Sequence, residues 1–191
     1  MSQSDFRTQL DNAKKIEDPL RRRLYVCAIA NAALVPSDEL PFVVVGGNAL
    51  EFYTLGDYTT VDVDLVSARR SEIGNILESW GFNRMGRHWY HPDLDVAIEV
   101  PDDVLAGSEE KITQVEIEGL NVYIIGVEDL IIDRVNAYVH WRSIDDGDWA
   151  KELMALYRDD IDWDYLVESV QTKELLDALN TLKSAIEDET K

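Results

Sequence analysis

A chain of 191 residues that carries 18 Lys+Arg against 38 Asp+Glu has a formal net charge of −20, and 46% of it is hydrophobic. That apolar share is enough to build a core for one globular unit, alone or with a helical appendage, and it excludes a disordered acidic polymer. A field of this sign repels nucleic acid, and the basic run Arg21-Arg22-Arg23 does not offset it, so general DNA binding is not expected.

No apolar run approaches the roughly 20 residues that span a bilayer. The start MSQSDFRTQLDNAKK lacks the h-region of a signal peptide, so the expected location is cytoplasmic, with no membrane partner. Leu10, Ala13 and Ile16, then Leu20, Leu24, Cys27, Ala28, Asn31 and Leu34, recur at steps of three and four, which predicts an N-terminal helical segment over 1–40. Pro19 marks a break or the first turn of a second helix, and Pro36 ends it. Cys27, the single cysteine, sits in the apolar stretch LYVCAIANAAL and reads as a buried small hydrophobe.

A core over 41–126 follows, mixed in α and β. Pro41 to Val45 is a β-branched run that reads as a buried strand closed by Gly46-Gly47; 48–55 is helical, and 59–66 alternates with period two. A helix over 70–80 precedes strands at 83–87, 89–91, 94–100, 113–117 and 121–125, with Glu118-Gly119 as the hairpin turn between the last two. Helices return over 127–191, at 128–141, 147–157, 164–170 and 173–187, and are expected to pack on the core. Ser143 to Asp148 reads as a mobile loop, and its acids as a solvated run or a helix cap rather than as ligands.

The chemistry concentrates in VVVGGNALEFYTLGDYTTVDVDLV. On a strand, Asp62 and Asp64 point to one face about 7 Å apart at their Cα atoms, while Val61, Val63 and Leu65 turn to the core. Two anions so held repel unless a cation sits between them. Mg²⁺, or Mn²⁺ in its place, takes carboxylate oxygens and completes its shell with water and phosphate. Gly46-Gly47 at a helix start lets a phosphate approach backbone N–H groups, which points to a nucleotide. On the alternating segment 94–100, Asp95 and Glu99 share the face opposite Leu94, Val96, Ile98 and Val100, and either can supply a third carboxylate; Asp95 is preferred, with Glu99 as the fallback. His88 and His91, three apart on a strand, face opposite sides and are not expected to share a metal.

Strand, Gly-Gly, helix, then T-x-D-x-D-L and a later strand acid resemble the nucleotidyltransferase superfamily that shares the DNA polymerase β-like palm, over roughly Phe42 to Trp149. Within it the pattern is most similar to bacterial nucleotidyltransferase-like proteins and AbiE-type toxins. The resemblance implies an α+β fold, a mixed sheet flanked by helices. It also implies Mg²⁺-dependent transfer of a nucleoside monophosphate from an NTP to a hydroxyl acceptor, which is a protein side chain, a small molecule or RNA, with an antitoxin partner if the protein is toxin-like. Carried over, Gly46, Gly47 and Asn48 would bind nucleotide, and Asp62, Asp64 and Asp95 would be catalytic metal ligands. Many active members have Gly-Ser where this chain has Gly46-Gly47. Toxin-like relatives place a lysine on the helix after the sheet, where this chain offers Arg134, a cation that can hold phosphate bidentately. The alternative is a catalytically silent module that binds a nucleotide or a partner on the same scaffold.

Overall fold

The computed structural model describes residues 3–34 and 41–188, so the expected stop at Pro36 lies outside the described residues. The chain divides into two compact units, 1–125 and 126–191.

The first unit opens with helices α1 (Gln3–Ala13) and α2 (Pro19–Leu34), with Pro19 in the first turn of α2. α2 is buried along almost its whole length from Arg23 to Asn31, and Cys27 is enclosed there, its thiol pushed up to about 12 by burial. Strand β1 (Val43–Val45) runs directly into α3 (Gly46–Tyr53), followed by β2 (Asp62–Val66) and α4 (Arg70–Ser79). Then come β3 (Asn83–Met85), β4 (His88–His91), β5 (Val96–Asp102), a 3₁₀ turn at Glu109–Lys111, β6 (Thr113–Ile117) and β7 (Leu120–Ile124).

Among the described residues these strands form one mixed sheet of order β3-β4-β5-β2-β1-β7-β6. β2 lies antiparallel to β1 and parallel to β5, and β1 is parallel to β7. The β6–β7 turn takes left-handed backbone at both Glu118 (φ +51°) and Gly119 (φ +77°), as a two-residue hairpin requires. The centre of the sheet is sealed by Val44, Val63, Leu65, Val96, Ile98, Val122 and Ile124, all essentially inaccessible. Val61 departs from the expected pattern: it lies just before β2 and is 81% exposed, because the alternation begins only at Asp62.

The second unit is helical, with α5 (Val127–His140), α6 (Ile144–Leu156), α7 (Trp163–Ser169) and α8 (Lys173–Asp188). Here 143–148 is not a loop. Ser143 caps α6 by accepting from the Asp146 N–H, and Gly147 lies so close to Tyr138 that a Cβ would fall 2.6 Å from the ring. Among the described residues no helix is long and apolar enough to cross a membrane.

Candidate active site

The site is built where three central strands meet the start of α3. Val45 of β1 pairs with Asp64 of β2, and Asp64 in turn pairs with Glu99 of β5. Because register neighbours share a face, Asp62, Asp64 and Glu99 lie on one side of the sheet. His88 of β4 pairs with Glu99 and joins that side.

Gly46 follows Val45 immediately, with φ +60°, and its missing Cβ would lie 2.7 Å from Oδ2 of Asp64. Neither a left-handed backbone nor that proximity suits a side chain, so glycine is needed here on two counts. Gly47 backs onto Thr60, whose side chain would stand 3.2 Å from an added Cβ. The glycines therefore bring the first turn of α3 against the acidic pair.

A buried polar brace holds β2 in place. Arg23 from α2 pairs with Glu51 at 2.5 Å and donates from Nε to Oδ1 of Asn48 at 2.8 Å. The Asn48 amide donates in turn to the Asp62 carbonyl. Glu51 also accepts the Thr60 N–H at 3.1 Å, and the Thr60 hydroxyl donates to Oδ1 of Asp62 at 3.1 Å. Asn48, expected as a nucleotide ligand, is wholly buried, and its amide contacts Arg23 and the Asp62 backbone.

Of the two acids expected as a third carboxylate, Glu99 shares the face of Asp62 and Asp64, and Asp95 lies off the strand. Residues 92–95 form the turn joining β4 to β5, so the alternation expected from Leu94 starts at Val96. Asp95 takes a left-handed backbone (φ +50°), is exposed, and accepts from the Tyr90 hydroxyl at 3.1 Å. Glu99 is buried beside Asp64, with Arg87 Nε 3.0 Å from Oε1 and His88 Nδ1 3.4 Å from Oε2. His88 and His91 do face opposite ways: His91 is buried and accepts the Leu94 N–H on Nδ1.

Burial, with the charges of Asp62 and Glu99 added, lifts the Asp64 carboxyl to about 6, against the smaller opposing pull of His88 and Arg87. Among the described residues Asp62, His88 and Glu99 can each offer a ligand atom within 4.8 Å of the others. Carboxylate oxygens with one imidazole suit a divalent cation, and the excess of negative charge with Asp64 alongside fits one too. Arg134 lies on α5 in the second unit, where Asp133 and, at 2.7 Å, Asp146 engage its guanidinium.

No match was found among curated protein sequences. Among solved structures, the chain is similar to an antigenic nucleotidyltransferase-like protein from Paracoccidioides brasiliensis, with TM-score 0.64, 19% identity and 91% of each chain covered. A weaker likeness, TM-score 0.42 at 16% identity, covers 100% of this chain and 97% of the antibiotic-resistance factor ANT(2'')-Ia. JHP933 from Helicobacter pylori gives TM-score 0.40 at 16% identity over 95% of each chain. The first of these carries the expected mixed-sheet fold. A match to the family described as "Nucleotidyltransferase of unknown function (DUF6036)" spans residues 24–186, and the chain belongs to that nucleotidyltransferase family.

Proposed function

We propose that the protein is a cytoplasmic, divalent-cation-dependent enzyme that moves a nucleoside monophosphate from an NTP to a hydroxyl acceptor. The observation that carries this reading is the seat of Gly46 on Asp64, which sets a phosphate-accessible helix start beside three carboxylates from two adjacent strands. Asp62, Asp64 and Glu99 would hold Mg²⁺ or Mn²⁺, which when bound neutralises phosphate charge at the reacting phosphorus.

The chain's own residues divide the remaining work. The backbone of Gly46-Gly47, which carries no Cβ of its own, would receive the triphosphate at the start of α3. The Arg23–Asn48–Glu51–Thr60 brace fixes the direction of the Asp62 carboxylate before substrate arrives, so little reorganisation is left for the reaction itself. In our reading Glu99 replaces Asp95 as the carboxylate that takes the acceptor's proton as the acceptor oxygen attacks the α-phosphorus and pyrophosphate departs.

Incubation of the protein with each labelled NTP, Mg²⁺ or Mn²⁺ and cell extract tests the proposal. Label should enter protein, RNA or a small molecule with the wild type and not with Asp62→Ala or Asp64→Ala. With a charge of −20, RNA is the least favoured acceptor. Growth arrest on expression, abolished by Asp62→Ala, would support a toxin role with an antitoxin partner. Nucleotide-dependent stabilisation without transfer would leave the silent binding module.

A further inference from the structure

The acidic site holds its own cation. Arg87 stands at the tip of the β3–β4 hairpin, just after Gly86, and its side chain is 72% exposed. From there Nε reaches into the site and pairs at 3.0 Å with a Glu99 carboxylate whose side chain is only 5% exposed. His88 approaches the other oxygen of the same carboxylate. A buried anion needs such compensation, and a divalent cation bound by Glu99, Asp62 and Asp64 would supply it instead. Arg87 and that cation then repel each other across a few ångströms.

Resting on the function proposed above, we infer that Arg87 is a stand-in for the metal that turns into a phosphate ligand when nucleotide enters. Without metal it neutralises Glu99. With metal and NTP bound, the guanidinium would be freed from a carboxylate that no longer needs it, beside the sheet face that carries Asp62 and Asp64. An exposed stem on a hairpin tip allows that movement without disturbing the sheet. The guanidinium fork matches phosphate oxygens bidentately, and in this acidic chain it lends positive charge where an anionic substrate must approach.

This role makes one residue oppose the metal and favour the nucleotide. Mn²⁺ binding should be followed by electron paramagnetic resonance in the absence of nucleotide. The affinity for a set of four α,β-methylene NTP analogues should then be measured at saturating Mn²⁺. Arg87→Ala is expected to bind Mn²⁺ alone roughly three- to tenfold more tightly and the favoured analogue weaker by a similar factor, as for loss of one charged contact. Arg87→Lys, which keeps a charge without the fork, should recover part of both effects. Arg87→Ala binding Mn²⁺ no more tightly than wild type, or the analogue equally well, overturns the inference. If wild type binds the analogue with Mn²⁺ and Asp62→Ala does not, that failure belongs to Arg87 alone. If wild type binds neither, the function proposed above falls, and this inference with it.

Discussion

The Cβ that Gly46 lacks would sit 2.7 Å from Oδ2 of Asp64, so the start of α3 and the acidic strand are fitted to each other at the distance of one missing methyl group. Gly46→Ala should therefore do more than strain a backbone at φ +60°. The conformational cost alone is about 1–2 kcal/mol, and Asp64 must also swing away from the new methyl. The expected result is a lower melting temperature together with weaker Mn²⁺ binding. Gly47→Ala, which needs Thr60 to yield only a few tenths of an ångström, should show a smaller loss of both. Equal effects at the two glycines would contradict this account.

Asp64 is an acid that the metal-free fold does not favour in its charged form. Burial pushes its carboxyl up to about 6 from the ordinary 3.8, so folding takes up a proton between those values. The unfolded state binds fewer protons in that window, and stability falls as pH rises from about 4 through 6. Asp64→Asn should remove this slope and, in the presence of a chelator at pH 7.5, stabilise the protein on the order of 1 kcal/mol once solvent screening of a half-buried group is allowed for. Divalent cation should raise the melting temperature of the wild type and not of the variant. Chemical denaturation across pH with chelator present checks the first expectation, and a Mn²⁺ titration of melting temperature the second. Destabilisation of metal-free Asp64→Asn at pH 7.5 would show that the carboxylate is compensated locally.

Much of this arrangement was legible in the sequence, where the signal was local. Glu118-Gly119 announces its hairpin because few residues tolerate left-handed backbone in succession, and Asp62-Val63-Asp64 announces one acidic face because a strand has period two. The choice between Asp95 and Glu99 was not local. Both fit the same alternation, and only the length of the β4–β5 turn, which takes Asp95 off the strand, leaves Glu99 on the face of Asp62 and Asp64. Likewise Asn48 follows the glycines as a nucleotide ligand would, but Arg23, distant in sequence, claims its side chain. Ser143 to Asp148 has the composition of a loop and becomes helix because Ser143 caps it and Tyr138 covers Gly147.

The pairing of Arg23 with Glu51 is buried on both sides, with side-chain exposures of 6% and 8%. Removing one partner leaves an uncompensated interior charge, so Arg23→Met or Glu51→Leu alone should cost about 3–5 kcal/mol. The double variant should lose much less than the sum, since no lone charge remains. Its remaining defect should lie in the site, because Asn48 and Thr60 lose the groups that orient them toward Asp62. A double-mutant cycle by urea unfolding, with Mn²⁺ affinity measured on the folded double variant, separates the two effects. Additive losses would mean that the pair does not act as a unit.

His91 should produce the opposite pH dependence from Asp64. It is buried against Phe82, with ring centroids 5.1 Å apart, and its Nδ1 accepts the Leu94 N–H, which requires the neutral ring. Burial first and Lys14 second hold its pKa below the ordinary 6.5, with Asp93 opposing. The unfolded chain therefore takes up the proton first: the stability that neutral His91 contributes is complete above pH 6.5 and is lost as pH falls toward the folded value. Since Asp64 titrates in the same region with the other sign, the Asp64→Asn background isolates the histidine. In that background, with chelator present, urea unfolding should show stability falling on acidification below pH 6.5, and His91→Gln should flatten that slope while lowering stability at pH 7.5 through disturbance of the turn at Leu94. A slope unchanged by His91→Gln would assign the acid sensitivity to other groups.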